Sequence, residues 1–120
     1  RSGIKIGIFG LGVNPKGLIA NKNFEPICYL DPIPVAQEIE TILKLQHHCD
    51  LIICLSHMGT FGRDTELAQA TQYIDAIIGG HSHKTVTNHY VQNLNGQSVL
   101  LAQMGKSAAR LGKITLKMTE

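Results

Sequence analysis

No run in this chain approaches the roughly 18 to 20 uninterrupted apolar residues that a membrane-spanning helix requires, so no membrane span is expected. A charged, apolar, small-residue leader is also missing, so any export signal is absent here or has been removed. The formal net charge is only +2 and no basic run occurs, which argues against a nucleic-acid polymer as partner. Three cysteines, Cys28, Cys49 and Cys54, cannot all pair with one another, and no C-x-x-C is present. That disfavours a thiolate zinc knuckle or a thioredoxin-like centre. Cys54 lies in an apolar run and reads as a small packed hydrophobe, and the cysteines leave the compartment undecided. The segment Gly7-Ile8-Phe9-Gly10-Leu11-Gly12 has neither a Walker lysine-serine pair nor a G-x-G-x-x-G opening a helix. It reads as the turn that ends a strand. Internal repeats and low-complexity stretches are absent too.

What remains is an ordinary globular chain. Its 120 residues, 43% hydrophobic and 17% charged, suit one modest domain and are short for two. Ile4 to Phe9 alternates as a strand, and Asn14-Pro15-Lys16-Gly17 reads as turn. Ile27 to Leu30 is a candidate short strand. Asp31-Pro32 supplies a carboxylate N-cap with proline at the first helical position, and Pro34 still lies in the first turn. Val35, Ile39, Ile42 and Leu43 recur at helical spacing, with Gln37, Glu38, Glu40 and Lys44 elsewhere, so this helix is predicted to cover a sheet and end near His47-His48. Those two histidines read as a solvated helix end, because helical neighbours do not share a face.

Leu51 to Leu55 is continuously apolar, as in a central strand buried on both faces. Asp64 caps a short helix with Leu67, Ala68 and Thr71 inward, and Asp75 to Ile78 is the next buried strand. The result is a parallel β-α-β unit of about 30 residues with a right-handed crossover. Val86 to Val91 and Ser98 to Ala102 are predicted strands around an Asn93-Leu94-Asn95-Gly96 turn. Gly112 to Met118 alternates Ile114, Leu116 and Met118 with Lys113, Thr115 and Lys117, which predicts a half-exposed antiparallel strand.

Chemistry gathers at the carboxyl ends of the two buried strands. His57 follows the first after one residue, and His81 follows the second after Gly79-Gly80. Strands of a parallel unit open on one side of the sheet, so these histidines are expected at one crevice. Gly59, Gly79 and Gly80 would let backbone and ligand come close. Ser82 separates His81 from His83, and extended backbone would throw the two rings to opposite sides, one for each of two metals. Two ions roughly 3.5 to 4 Å apart are what phosphate hydrolysis commonly uses. An H-x-H in a loop is more often surface decoration, but three histidines following two strands of one crossover favour a metal. His89, with no partner in sequence, reads as structural.

These residues resemble the calcineurin-like metallophosphoesterases, and among them the 5′-nucleotidase-type branch. Ser56-His57-Met58-Gly59 is similar to that family's penultimate motif and Gly79-Gly80-His81-Ser82-His83 to its last. Asp64, Leu67-Ala68, Asp75 to Ile78 and the tail from Leu100 to Leu116, with Gly105 and Gly112, also fall where that branch has similar residues. The likeness spans the chain, with only the two histidine motifs specific.

The resemblance implies an α/β fold: part of a metallophosphatase-like β-sandwich flanked by helices, a parallel β-α-β core plus carboxyl-terminal antiparallel strands. It implies two divalent ions, of manganese, zinc or iron, with His57 and His81 on one and His83 on the other. Ser56, Gly59, Asp64, Gly80 and Ser82 would lie near the ligands or the substrate. The nucleophile would be a metal-activated water, and the substrate a small phosphate ester or nucleotide. Export to the periplasm or cell surface is implied by the likeness alone.

The family's earlier motifs, an Asp-x-His, a Gly-Asp and an Asn-His that carries the catalytic histidine, are not found. Residues 1–120 therefore resemble the carboxyl-terminal half of the domain. The expectation is an inactive fragment of a phosphoesterase that self-associates through an exposed face. A non-catalytic transition-metal-binding α/β module and a plain structural α/β domain are the competing readings.

Overall fold

A computed structural model describes residues 3–117. Five strands form one mixed sheet in the order β1-β2-β3-β5-β4: β1 Ile6–Leu11, β2 Leu51–Ser56, β3 Ala76–Ile78, β4 Thr85–Gln92 and β5 Ser98–Met104. All neighbours are parallel except β4 with β5. Helix α1, Pro32–Thr41, links β1 to β2, and α2, Asp64–Ala70, links β2 to β3. The fold class is thus the α/β arrangement expected, with a parallel core and an antiparallel strand at its end. No helix among the described residues is long and apolar enough to cross a membrane.

Both helices lie on one face of the sheet. Ile52 and Cys54 of β2, Ile77 of β3, and Val99 and Leu101 of β5 point to that face and pack with Ala36, Leu67 and Ala68. Each fully buried leucine or isoleucine there contributes about 1.5–3 kcal/mol. Asp31 caps α1 as predicted, accepting from Ile33 N at 3.2 Å with Pro32 at the first helical position. Replacing Asp31 with alanine is expected to cost about 1 kcal/mol in urea denaturation. Its exposed ion pair with Arg63 adds little to that figure.

The inward stripe of α1 differs from the predicted one. Pro32, Ala36 and Glu40 are buried, while Val35 and Ile39 are half-exposed. Ala36 has the small side chain that close approach to the sheet requires. Glu40 turns inward because its carboxylate accepts from Gln72 N at 2.9 Å and Tyr73 N at 2.7 Å, holding the turn between α2 and β3. Beyond Thr41 the helix widens into a π turn over Ile42–Gln46. It stops at the two histidines as expected, with His48 left-handed at φ 53°.

Strand β2 is buried on one face only. Leu55 is 48% exposed, and Ile6, Ile8 and Ile78 also point out on the face the helices leave open. Residues 112–117, the predicted last strand, join no ladder, and Met118 lies outside the described residues. The segment Leu111 to Thr115 instead passes over the open face. It roofs a cavity of about 750 Å³ above Ile78, Leu100 and Ala102. Ile27 to Leu30 also forms no strand, although Tyr29 Oη donates to Gly12 O at 3.1 Å. The turn between β4 and β5 stands where predicted, closed by Asn93 Oδ1 accepting from Asn95 N and Gln97 N, both at 2.9 Å.

Candidate metal centre

The parallel register brings the carboxyl ends of β2 and β3 to one rim. His57 N donates to Leu11 O at 2.9 Å and Gly79 N to Ala102 O at 2.8 Å, so both chains stay tied to the sheet as they leave it. The exposed rings of His57 and His81 then meet edge to face, with centroids 5.3 Å apart and planes at 71°. Gly80 makes this approach geometrically feasible. A Cβ there would stand 2.8 Å from His57 Nδ1, so that the ring would have to shift, and a tight 3.3 Å from Ser56 O. Gly59, at φ 100°, backs the ring of His81.

His83 goes elsewhere. His81 and His83 both adopt left-handed backbone, φ 64° and 57°, with Ser82 N donating to Gly80 O at 2.7 Å. The backbone between them is therefore a tight turn and not the extended chain expected. His83 lines a second cavity with Thr85 and Arg110. His89 packs its ring edge against Phe61, centroids 5.2 Å apart, and Lys84 Nζ lies 5.0 Å from the centre of the Phe61 ring.

Beneath the rim lies a buried polar layer. Ser56, the last residue of β2, donates its hydroxyl to Asp64 Oδ1 and accepts from Met58 N at 3.1 Å. Asp64 is fully buried, and its Oδ2 has no hydrogen-bond partner. Burial pushes the Asp64 carboxyl up, against the opposing effects of the Ser56 hydroxyl and of His57. Gly79 rests on this layer: a Cβ there would come 2.7 Å from Thr60 Oγ1 and 2.8 Å from Asp64 Oδ2.

Gln103, only 2% exposed, joins the layer to the histidine loop. With the amide oriented to meet its partners, the nitrogen reaches Thr60 Oγ1 at 2.5 Å, Ser82 Oγ at 2.8 Å and Gly80 O at 3.2 Å. Its oxygen accepts from His83 N at 2.9 Å and Lys84 N at 3.2 Å. Sequence reasoning missed Gln103 and Thr60. A signal for Gln103 existed: it continues the inward series Val99, Leu101 along β5, where a polar residue needs partners.

Two exposed imidazoles backed by glycine are the donor type of first-row divalent metals. They would supply two ligands where a zinc site draws on three or four from protein. Among the described residues no three His, Cys, Asp or Glu side chains gather around one point. The pair fits part of a metal site.

No family model matches the chain. It is 35% identical over 136 aligned residues to an apyrase of Tabanus yao, with all of this chain and 24% of the relative covered. It is 30% identical over 118 residues to the trifunctional nucleotide phosphoesterase protein YfkN of Bacillus subtilis, covering 98% of the chain and 8% of the relative. With a 5′-nucleotidase of Vibrio cholerae the identity is 32% over 98 residues, covering 72% of the chain and 18% of the relative. The chain thus spans 24% or less of the length of these relatives.

Proposed function

Because the chain belongs to the 5′-nucleotidase-type metallophosphoesterases, we propose that it is the carboxyl-terminal half of a metallophosphatase domain in a longer nucleotide phosphoesterase. The observation that carries this reading is the pairing of His57 and His81, rings 5.3 Å apart, at the ends of adjacent parallel strands. Relatives named for nucleotides and phosphoesters support the substrate class.

Divalent ions, when bound, supply Lewis acidity at the phosphoryl oxygens and a nucleophile at neutral pH. His57 and His81 would hold one ion, and His83 would serve a second. Imidazole together with oxygen ligands suits manganese, zinc or iron. Gly59 and Gly80 keep the rim clear of side chains, so a phosphoryl group can approach the imidazoles. Ser56 and Asp64 fix the end of β2, and Gln103 with Ser82 fixes the turn that carries His81 and His83. The remaining ligands and the catalytic histidine come from outside residues 1–120, so the chain alone binds metal without turnover.

Calorimetric titration with zinc and manganese tests the site. Binding by the chain is expected, with loss in His57→Ala and in His81→Ala. The longer polypeptide should cleave an aryl phosphate or a nucleoside monophosphate, with activity lost in His57→Ala and restored by no added metal. Steady metal-dependent cleavage by the 120-residue chain itself would overturn the assignment of half a domain. Metal binding that survives both substitutions would overturn the site.

A further inference from the structure

We propose that the cavity beside His83 is a phosphoryl-oxyanion subsite, held by Lys106 and Arg110. This deepens the phosphoesterase reading, and rests on it only for the molecule that carries the anion. The cavity measures about 240 Å³ and is lined by His83, Thr85, Lys106 and Arg110, with Met104, Gly105 and Ala109 completing its wall. That is room for a phosphoryl group and several waters, each claiming roughly 30 Å³ in the liquid.

The charge distribution points the same way. Between Asp75 and Glu120 the chain has no acidic residue but five basic ones, Lys84, Lys106, Arg110, Lys113 and Lys117. The first 75 residues carry eight acids against six basic residues. The small net charge of +2 therefore conceals a segregation in which one end of the chain is cationic. Unneutralised cations around a concavity raise the local concentration of anions. The ion pairs found among the described residues both belong to Arg63, so neither Lys106 nor Arg110 is committed to a carboxylate there.

The backbone brings these cations together. Gly105 N donates to Lys84 O at 2.9 Å, anchoring the end of β5 against the start of β4. Ser107 and Ala108 then take left-handed conformations, φ 56° and 52°, which residues with a Cβ adopt at a cost. Ala109 N closes the turn on Lys106 O at 3.2 Å, and Lys106 and Arg110 end on the same cavity. Arg110 is steadied by donating one Nη1 hydrogen bond to Thr85 Oγ1. A planar guanidinium with further donors, beside an ammonium and a threonine, is a donor set for tetrahedral oxyanions.

A phosphoryl oxyanion reaches such a subsite either as a second phosphoryl group linked to the one being cleaved or as free inorganic phosphate. Calorimetric titration of the chain with pyrophosphate and, separately, with phosphate, in chelator and low-salt buffer, distinguishes the two. Arg110→Gln and Lys106→Gln are each expected to weaken pyrophosphate binding at least about fivefold, while Lys22→Gln, in an exposed turn, leaves it unchanged. Pyrophosphate binding much tighter than phosphate assigns the subsite to linked phosphoryl groups; equal affinities assign it to free phosphate. Unchanged binding in Arg110→Gln, or equal weakening by Lys22→Gln, would overturn the proposal. Arg110 is exposed, so its variant should fold, and amide shifts at Gly105 and Lys106 on adding pyrophosphate give a second readout. Since no metal is present, failure here leaves the imidazole pair standing, and failure of the imidazole pair leaves this measurement intact.

Discussion

Replacing Gln103 with leucine is expected to lower stability by about 3 kcal/mol and to weaken metal binding at the proposed His57–His81 site by roughly 10- to 100-fold. Leucine fills a similar volume, so the loss is one of partners and not of packing. The carboxamide serves the Thr60 and Ser82 hydroxyls, Gly80 O, and the N–H groups of His83 and Lys84. A buried donor or acceptor left alone costs about 1–3 kcal/mol, and the total stays low because His83 and Lys84 are exposed to water and the hydroxyls can turn toward other acceptors. Gln103→Glu separates the contributions. Its oxygens still accept from His83 N and Lys84 N, but it cannot donate to Gly80 O, so an intermediate loss is expected. Urea denaturation reads the stability, and the visible spectrum of cobalt bound in place of zinc reads the geometry around the imidazoles. A leucine variant with reduced stability but unaltered cobalt spectrum and metal affinity would show that Gln103 braces the fold without placing His81.

What was legible in the sequence was whatever local chemistry dictates. The Asp31-Pro32 cap, the Asn93 turn and the paired positions of His57 and His81 each depend on residues within a few steps of one another and on the fixed direction of parallel strands. The rest depended on contacts distant in sequence. The stripe of α1 is set by a demand from Gln72 and Tyr73, 32 and 33 residues away, for an acceptor that Glu40 meets. A single face of helices leaves Leu55 and Ile78 without a helix packed over them, and apolar periodicity cannot say whether a second layer covers a strand. The alternation of residues 112–118 matched a strand, yet a period-two pattern does not by itself make a ladder: residues 112–117 pair with no strand although β4 keeps an open edge. For His83 the extended backbone assumed between the two histidines is not what forms, because His81 and His83 are both left-handed.

Glu40→Ala is expected to cost about 2–4 kcal/mol near neutral pH, from two backbone donors left without their carboxylate and from a cavity under α1. Yet the ionised carboxylate is itself a strained guest at that position. Burial raises the Glu40 carboxyl above its ordinary 4.5, outweighing the hydrogen bonds from Tyr73, Gln72 and Ile74 that favour the charged form. The sign follows from linkage. A folded-state value above the unfolded one means that the folded chain holds the proton longer, so this contribution is complete below about pH 4.5 and is lost as pH rises through the folded value. Asp64 and Asp75 shift in the same direction, each raised mainly by burial from 3.8. Asp75 nevertheless gives Ile52 N a 2.8 Å hydrogen bond acceptor. With Glu40 and Asp64 buried, Asp75 half-buried and all three raised, the melting temperature is expected to fall as pH rises from about 4.5 through their folded values, against the common trend of acid destabilisation. Glu40→Gln, which stays neutral and keeps one acceptor, should flatten part of that slope while losing less stability than alanine does. Scanning calorimetry across this range decides the matter: a wild-type melting temperature that climbs with pH, or a glutamine variant with undiminished slope, would mean that the carboxylate's partners outweigh its burial.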